Sequence, residues 1–431
     1  MLSWEAIMPQ VSYQITRSLP VSLQADVLVV GGGPGGLGAA VLAARDGADV
    51  LLVERYGHLG GMAAQGQVNA FMHNHVCGLR LDRPVCQEWA DRMAHYRPKT
   101  SAYDLVEHTA AMLAAEELCL EAGVRLLYHH TLIDAVMQKR ALDYLVVWSK
   151  SGLAAAHASV YIDCTGDADL AALAGCAFEL GGPDGACQPM TAFFALEEID
   201  PSRSPDQDAL QVLYQAAKVR GDISCPQGHL HPGPFSSPTV QTFNWTRVLD
   251  TVGTSGADLS SAEITARRQI REVVTFLRAQ VPGYEGARIR AIAPHIGIRE
   301  TRRVLGQAYL TREAFCTAAK FPDAIARVQY PIDIHNPHGA GVELVYLPDD
   351  EWYEIPYGCI VARDCPNLLI GGRPISVDHA IHSSMRIMPV ACSVGSAAGV
   401  AAAMAVQRQC TPAELDGVAV RRRLAEHGAC L

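Results

Sequence analysis

Apolar residues fall along this chain in short unbroken runs separated by glycine. Val27 to Val30 is one such run. It leads into Gly31-Gly32-Gly33-Pro34-Gly35-Gly36 and then into a stretch rich in small residues, Ala39, Ala40, Ala43 and Ala44. A second run, Val50 to Val53, ends on Glu54. Continuous apolar runs bounded by turn residues mark strands buried on both faces, so this segment predicts strand, helix and parallel strand. Farther on, a helix is expected over 104–122, with Leu105, Met112 and Leu113 on its apolar side and Gly123 as its stop. Strands of a β-meander are expected over 124–128 and 135–148. A long amphipathic helix should start at a Ser260 or Ser261 cap, with support from Glu263, and end at Pro282-Gly283. Ala391 to Val406 reads as a buried helix of small residues, too short and too weakly apolar to span a bilayer. Near the start, Val11, Tyr13 and Ile15 alternate as in a strand or arm.

The first of these segments also carries a chemical signature. Gly31 permits a tight turn, Gly33 lets the backbone approach a pyrophosphate, and Gly36 lets helix and strand pack closely. The diphosphate then meets the helix N-terminus, where free N–H groups and the dipole favour negative charge. Glu54 stands where an acid binds ribose hydroxyls. Strand, glycines, small-residue helix, second strand and terminal acid together specify a dinucleotide site far better than the glycines alone. The paired Gly60-Gly61 after the acid resembles the flavoprotein pattern, which implies a flavin dinucleotide. So do the Thr165-Gly166-Asp167 turn after a strand, the Gly371-Gly372-Arg373 loop, and the run Val394-Gly395-Ser396-Ala397-Ala398-Gly399. That last run is expected to open a helix whose N-terminus faces the flavin.

Composition narrows the class. The chain has 431 residues, 49% of them hydrophobic, enough for a large core and two domains. Its formal net charge of −10 disfavours nucleic acid as a partner. No basic segment precedes an apolar core at the N-terminus, so a cytoplasmic protein without membrane insertion is expected. The 13 cysteines are odd in number and include no Cys-x-x-Cys pair, which argues against clusters, zinc ribbons and a disulfide framework. Histidine pairs such as His379 and His382, His335 and His338, or His73 and His75 lack a third ligand at set spacing, so no metal is expected.

With these motifs in place, the chain resembles the FAD-dependent oxidoreductases related to fumarate reductase and succinate dehydrogenase flavoproteins, which share a glutathione-reductase-type FAD-binding fold. The resemblance runs from about Ala25 to Gln407. It rests on Asp163-Cys-Thr-Gly-Asp167, Gly297-Ile-Arg299-Glu300-Thr-Arg302-Arg303, Pro331-Ile-Asp333-Ile-His335, Ile355-Pro356-Tyr357, Gly371-Gly-Arg373 and Arg386-Ile-Met-Pro389. It implies an α/β fold: a discontinuous Rossmann-like FAD-binding domain with a β-meander and an inserted α+β substrate domain. The expected divisions are an arm over 1–24, the first FAD part over 25–180, the substrate domain over 181–350, and the second FAD part with C-terminal helices over 351–431. The implied FAD-binding residues are Gly31, Gly33, Pro34, Gly36, Glu54, Arg55, Gly60, Gly61, Met62, Thr165, Gly166, Asp167, Gly372, Arg373, Gly395, Ala397 and Ala398. The flavin is expected to be non-covalent, because the context of His58 does not match the usual attachment motif.

The middle region holds no second strand–glycine–helix unit, so reduction by a bound nicotinamide is not supported. Electrons must come from or go to a small substrate, oxygen, a quinone or another protein. The expected reaction is hydride transfer between flavin N5 and a small, anionic or polar organic substrate. An oxygen-using oxidase or monooxygenase and an electron-relay subunit are the alternatives. Arg299, Arg302 and Arg303 lie within five residues, between apolar neighbours. They suit either a carboxylate clamp or an interdomain salt-bridge network with Glu300 and Asp333. Strand alternation would put Arg299 and Arg303 on one face. Asp333 and His335, two apart on an expected strand, suit an acid/base pair. His379 and Arg386 follow the Gly-Gly-Arg loop and are the other catalytic candidates. The N-terminal arm suits an edge or dimer contact, so a homo-oligomer is compatible with the sequence.

Overall fold

The structure is a computed structural model that describes residues 18–96, 106–230 and 232–431. The alternating Val11, Tyr13 and Ile15, and Asp104 and Leu105 of the expected helix, lie outside the described residues. The main sheet runs in the spatial order Arg125–Leu127, Val50–Val53, Val21–Val30, Gly152–Asp163, Ala141–Ser149, Thr131–Gln138. Val27 to Val30 pair in parallel with Val50 to Val53 on one side and with Val160 to Asp163 on the other. The last two strands of that order turn antiparallel and form the meander; Arg125–Leu127, expected in it, instead pairs in parallel with Val50–Val53 at the opposite edge, extending the dinucleotide-binding half of the sheet. Leu368–Ile370 returns from late in the chain to pair in parallel with Tyr161 to Asp163. This return makes the domain discontinuous.

Two helices lie at the centre of the core, Pro34–Arg45 and Met388–Arg408. They touch backbone to backbone. A Cβ on Gly395 would sit 1.9 Å from the Gly35 carbonyl oxygen, and one on Gly399 would sit 2.1 Å from that of Ala39. Glycine within a helix costs about 0.5–1 kcal/mol relative to alanine; the close crossing offsets that cost. Among the described residues, Met388–Arg408 is also the one helix long and apolar enough to cross a membrane by composition, and most of it is buried inside the protein.

The hydrophobic core divides in two. The larger part gathers residues from Val27 to Cys176 and from Val304 onward. The smaller lies between Met190 and Ile298 and includes Phe194, Tyr214, Phe243, Trp245, Val273 and Leu277. It joins a four-stranded antiparallel sheet, in the order Pro232–Ser237, Val240–Phe243, Phe194–Glu197, Arg288–Ile292, to the helices Gln207–Arg220 and Gly256–Gln280. Residues 304–350, grouped with the substrate domain on sequence, send Val304, Phe315, Ile325, Val328 and Ile332 into the larger core. The long helix starts a turn earlier than the expected serines. Ser255 caps it, its side chain accepting from the Asp258 amide at 3.2 Å, while Ser260 bonds back to the Gly256 carbonyl. The helix His108–Glu121 buries alanines, Leu118 and Cys119 and leaves Leu113 exposed, so its inward face differs from the one expected.

Candidate active site

Two cavities lie side by side in the molecule. The first, about 500 Å³, opens along the carboxyl ends of the parallel strands, where such sheets bind ligands. Gly31, Gly33, Pro34, Glu54, Arg55, Gly61, Met62, Thr165, Gly166, Asp167, Gly372, Arg373 and Arg386 all line it. The glycines of the turn serve two different ends. Gly31 and Gly36 are demanded by the fold: a Cβ on Gly31 would lie 2.4 Å from the Cys164 carbonyl oxygen, and one on Gly36 1.9 Å from that of Gly31. Gly33 is not. It caps the helix at φ −73°, and its Cβ would meet nothing nearer than Gly61 Cα at 3.7 Å. The space over Gly33 is a cradle beside a helix N-terminus, suited to a diphosphate.

Polar groups around this cavity support the same ligand. Glu54 is buried, with one carboxylate oxygen accepting from the Gly32 amide at 2.6 Å and the other from the Tyr56 amide at 2.9 Å. Asp163 is fully buried. It accepts from the Thr165 amide and hydroxyl and from the Ala171 amide, and burial pushes its carboxyl up to about 6. Asp167 accepts from Arg373 at 2.6 Å and from the Thr301 hydroxyl at 2.7 Å. Arg55, Arg302, Arg373 and Arg386 bring positive charge to the lining, and Nε of Arg373 and of Arg386 is buried with no hydrogen-bond partner. A dianionic dinucleotide fits this donor set.

Some expected cofactor residues sit elsewhere. Gly36 packs against the glycine turn. Gly60 donates its amide to the Gly32 carbonyl at 2.9 Å and holds φ 102°, shaping the loop. Gly395, Ala397 and Ala398 are about two turns inside a helix that begins at Met388. All three are buried, and Gly395, with Gly399, forms the crossing with Pro34–Arg45. The helix starts early because Arg386 ends the short helix His379–Met385 and Ile387 turns the chain, leaving Met388 and Ala391 at the cavity. His58 bonds to the Leu59 carbonyl and to Gln65.

The second cavity, about 720 Å³, is lined by Arg247, Arg299, Tyr330, Asp333 and His335 among others. Asp333 and His335 lie on the strand Ile332–His335, which pairs with Val342–Val345. His335 Nε2 is 3.5 Å from Asp333 Oδ1. This favours the Nε2–H tautomer and leaves Nδ1 free to accept a proton. Burial, then Arg299, lowers the His335 imidazole to about 3. Burial pushes the Asp333 carboxyl up, but His335, Arg386 and Arg299 overcome that and hold it below the usual carboxylate range. Burial, reinforced by Arg386, lowers the Arg299 guanidinium to about 9. At neutral pH the group is therefore a neutral imidazole beside an anion and two cations.

The three clustered arginines part ways, because residues 298–301 are irregular and strand alternation does not apply. Arg299 turns to the second cavity and donates to the Pro189 carbonyl at 2.6 Å and the Thr191 hydroxyl at 2.5 Å. Arg302 lines the first cavity and donates to the Asp167 carbonyl and to Asp169. Arg303 is buried against Glu300 at 2.8 Å, with further bonds to Gly181, Val377 and Glu179. The salt-bridge network thus falls to Arg303, and the cavity position to Arg299. His379 belongs with the network: its Nδ1 lies 2.7 Å from Glu300 Oε1, and it lines neither cavity.

Arg386 connects the two cavities. It lines the first, and its Nη2 reaches Asp333 of the second at 3.5 Å. Two residues that the sequence reading passed over complete the group. Gln188 Oε1 accepts from the His335 amide at 3.2 Å and from Arg386 at 3.5 Å. Arg247 is the other. Neither sits in a motif, so no sequence signal marked them.

The family model described as FAD dependent oxidoreductase matches residues 26–424, and the chain belongs to that family. It is an FAD-dependent oxidoreductase. Among characterised relatives, it is similar to the thiamine thiazole synthase of Sulfolobus acidocaldarius, 28% identical over 160 residues that cover 35% of this chain and 58% of the relative. The thiamine thiazole synthase of Methanothermobacter thermautotrophicus is 28% identical over 184 residues, covering 40% of this chain and 69% of the relative. The first match therefore spans less than two thirds of that relative's length. Among solved structures, a geranylgeranyl bacteriochlorophyll reductase-like protein from Thermoplasma acidophilum gives a TM-score of 0.47 at 12% identity, over 94% of this chain and 84% of that one. The p-nitrophenol 4-monooxygenase of Pseudomonas putida gives 0.47 at 12%, over 93% and 85%.

Proposed function

We propose that this enzyme exchanges a hydride between its flavin and a small organic anion held in the second cavity. The observation that carries the reading is Arg386, which lines the cofactor cavity while contacting Asp333 in a cavity that also holds His335 and Arg299. FAD, when bound, supplies two-electron hydride acceptance or donation. The chain's own residues do the rest. Arg299 offers bidentate geometry to an anionic group, and Arg386 holds Asp333 at the boundary with the cofactor cavity. His335 takes or gives the accompanying proton at Nδ1, and Asp333 holds its tautomer. Contacts near 3.5 Å in such a group tighten when substrate arrives. The reading agrees in reaction type with the resemblance to fumarate reductase flavoproteins, which also exchange hydride with organic acids.

The test is a survey of carboxylic acids with the FAD-loaded enzyme and an artificial dye as acceptor. Once an acid turns over, His335→Ala should lower turnover by about 10²–10⁴ while the flavin spectrum stays unchanged. Arg299→Lys should raise KM, because lysine keeps the charge and loses the fork. Wild-type turnover in His335→Ala would refute the proton role. Turnover that demands oxygen and consumes it in step with substrate would replace the dehydrogenase reading with an oxidase or monooxygenase.

A further inference from the structure

We infer that the second cavity takes an amphipathic monocarboxylate, with the carboxylate held by Arg247 and Arg299 and an apolar body lying on the strand Val342–Val345. The inference rests on the reading of this cavity as the substrate site and adds the class of molecule it admits.

Two observations carry it. The first is an excess of buried positive charge: Arg247, Arg299 and Arg386 gather around one partly buried carboxylate, Asp333. Arg247 is 2% exposed yet lines the cavity. Its hydrogen-bond partners are neutral oxygens: Gln227 Oε1 at 3.2 Å and the Asn336 and Gly341 carbonyls at 2.9 Å each. Its Nε is buried with no partner. Arg299 is likewise bonded only to a carbonyl and a hydroxyl; Asp333 offsets part of its charge, while Arg386 and Arg247 repel it. Two carboxylates line this cavity: Asp349 is exposed to solvent, and Asp333 is already engaged by His335 and Arg386. Buried guanidiniums that face a cavity without a carboxylate of their own call for an anion from outside.

The second observation is the register of the hairpin. His335 stands opposite Val342, and Asp333 opposite Leu344. Directly opposed residues project to the same face of a sheet. One face therefore carries acid/base groups on one strand and apolar side chains on the other. Val342, Leu344 and Tyr346 line the cavity yet are 41%, 49% and 69% exposed. An apolar group laid over them removes that surface from water. A short acid would leave it wet, and a diacid would set its second charge against it. The cavity of about 720 Å³ has room for a body larger than a short acid.

Calorimetric titration of the FAD-loaded protein with four probes tests this: 3-phenylpropionate, propionate, succinate and the neutral 3-phenylpropionamide. We expect 3-phenylpropionate to bind at least about tenfold more tightly than each of the other three. Leu344→Ser should narrow its margin over propionate roughly threefold or more. This side chain is half exposed, so the fold tolerates the change. Arg247→Lys and Arg299→Lys should weaken all three acids alike. Propionate or succinate binding as well as 3-phenylpropionate would overturn the inference, as would an unchanged margin in Leu344→Ser. In either case, weakened binding in the arginine variants would leave the anion site standing. If no acid binds, or if the arginine variants bind all acids like wild type, the reading of the cavity itself fails.

Discussion

Replacing Gly33 with alanine separates what the fold needs from what the cofactor needs. In the protein alone the new methyl is harmless. The backbone at φ −73° suits any L-residue, and the nearest atom to an added Cβ is 3.7 Å away. Removing a glycine also narrows the unfolded ensemble, which is worth about 0.4–1 kcal/mol of added stability where the native conformation permits. The apoprotein should therefore melt at the wild-type temperature or slightly above it. FAD faces the opposite situation, because the methyl projects into the cradle over the helix N-terminus. A diphosphate displaced from it loses at least one charged hydrogen bond, each worth about 1.5–3 kcal/mol. That corresponds to roughly tenfold to a hundredfold in Kd. The assay is FAD titration of deflavinated protein followed by flavin fluorescence, with calorimetric melting of the apoprotein alongside. Gly36→Ala is the control. Its Cβ would stand 1.9 Å from the Gly31 carbonyl oxygen, so it should fail to fold with or without FAD. A Gly33→Ala protein that binds FAD with wild-type affinity would refute the assignment of the cradle. One that loses apoprotein stability would refute the steric argument.

Acid should destabilise the protein well above the usual carboxylate range. Burial holds His335 down to about 3 and His382 well below its ordinary value of 6.5, so the unfolded chain takes up protons that the folded chain refuses. Stability then falls as pH drops below about 6.5, approaching about 1.4 kcal/mol per pH unit for each histidine; Asp163, raised to about 6, takes up a proton in the folded state and offsets about one of the two below pH 6. Urea unfolding at pH 7, 6 and 5 measures it. His335→Gln should remove about one proton from the slope, and a wild-type stability that is flat over this range would contradict the burial argument. In the buried network, Glu300→Ala strands Arg303 with only the half-exposed Glu179 as an ionic partner and should cost about 3–5 kcal/mol. His379→Gln should cost only about 1 kcal/mol and leave acid binding unchanged. Lost turnover with an intact melting temperature in His379→Gln would return that histidine to the catalytic group.

The nucleotide half of the site was legible because its signals are local. The strand, turn, helix and acid sit within some thirty residues, and each residue's role follows from backbone geometry. The substrate half was legible only in part. Asp333 and His335 share a strand, and alternation placed them together correctly. Alternation failed at Arg299 for a plain reason: the segment around it has no regular strand, so the three clustered arginines turn to three different surroundings. Arg247 comes to the cavity, and Gln188 to the His335 amide and Arg386, from distant loops, and nothing in their own neighbourhoods marks them. His379 was drawn toward the flavin by adjacency in sequence, whereas its helix turns it to Glu300. The small residues after Val394 were read as a helix start because they are small. Their size serves a crossing of helices instead.

That crossing ties distant parts of the enzyme to one reference. The helix that starts at the Gly33 cradle and the helix that begins just after Arg386 are locked by carbonyl oxygens seated where Gly395 and Gly399 lack side chains. The spacing between the glycine cradle and the arginine that joins the two cavities is thus set by the girth of a glycine, deep in the core. A single methyl at Gly399 would touch neither cavity, yet it would pry the helices apart and carry Arg386 out of alignment. Catalytic defects in this enzyme can therefore arise from silent-looking changes to its smallest buried residues, and a search for them should begin along that seam.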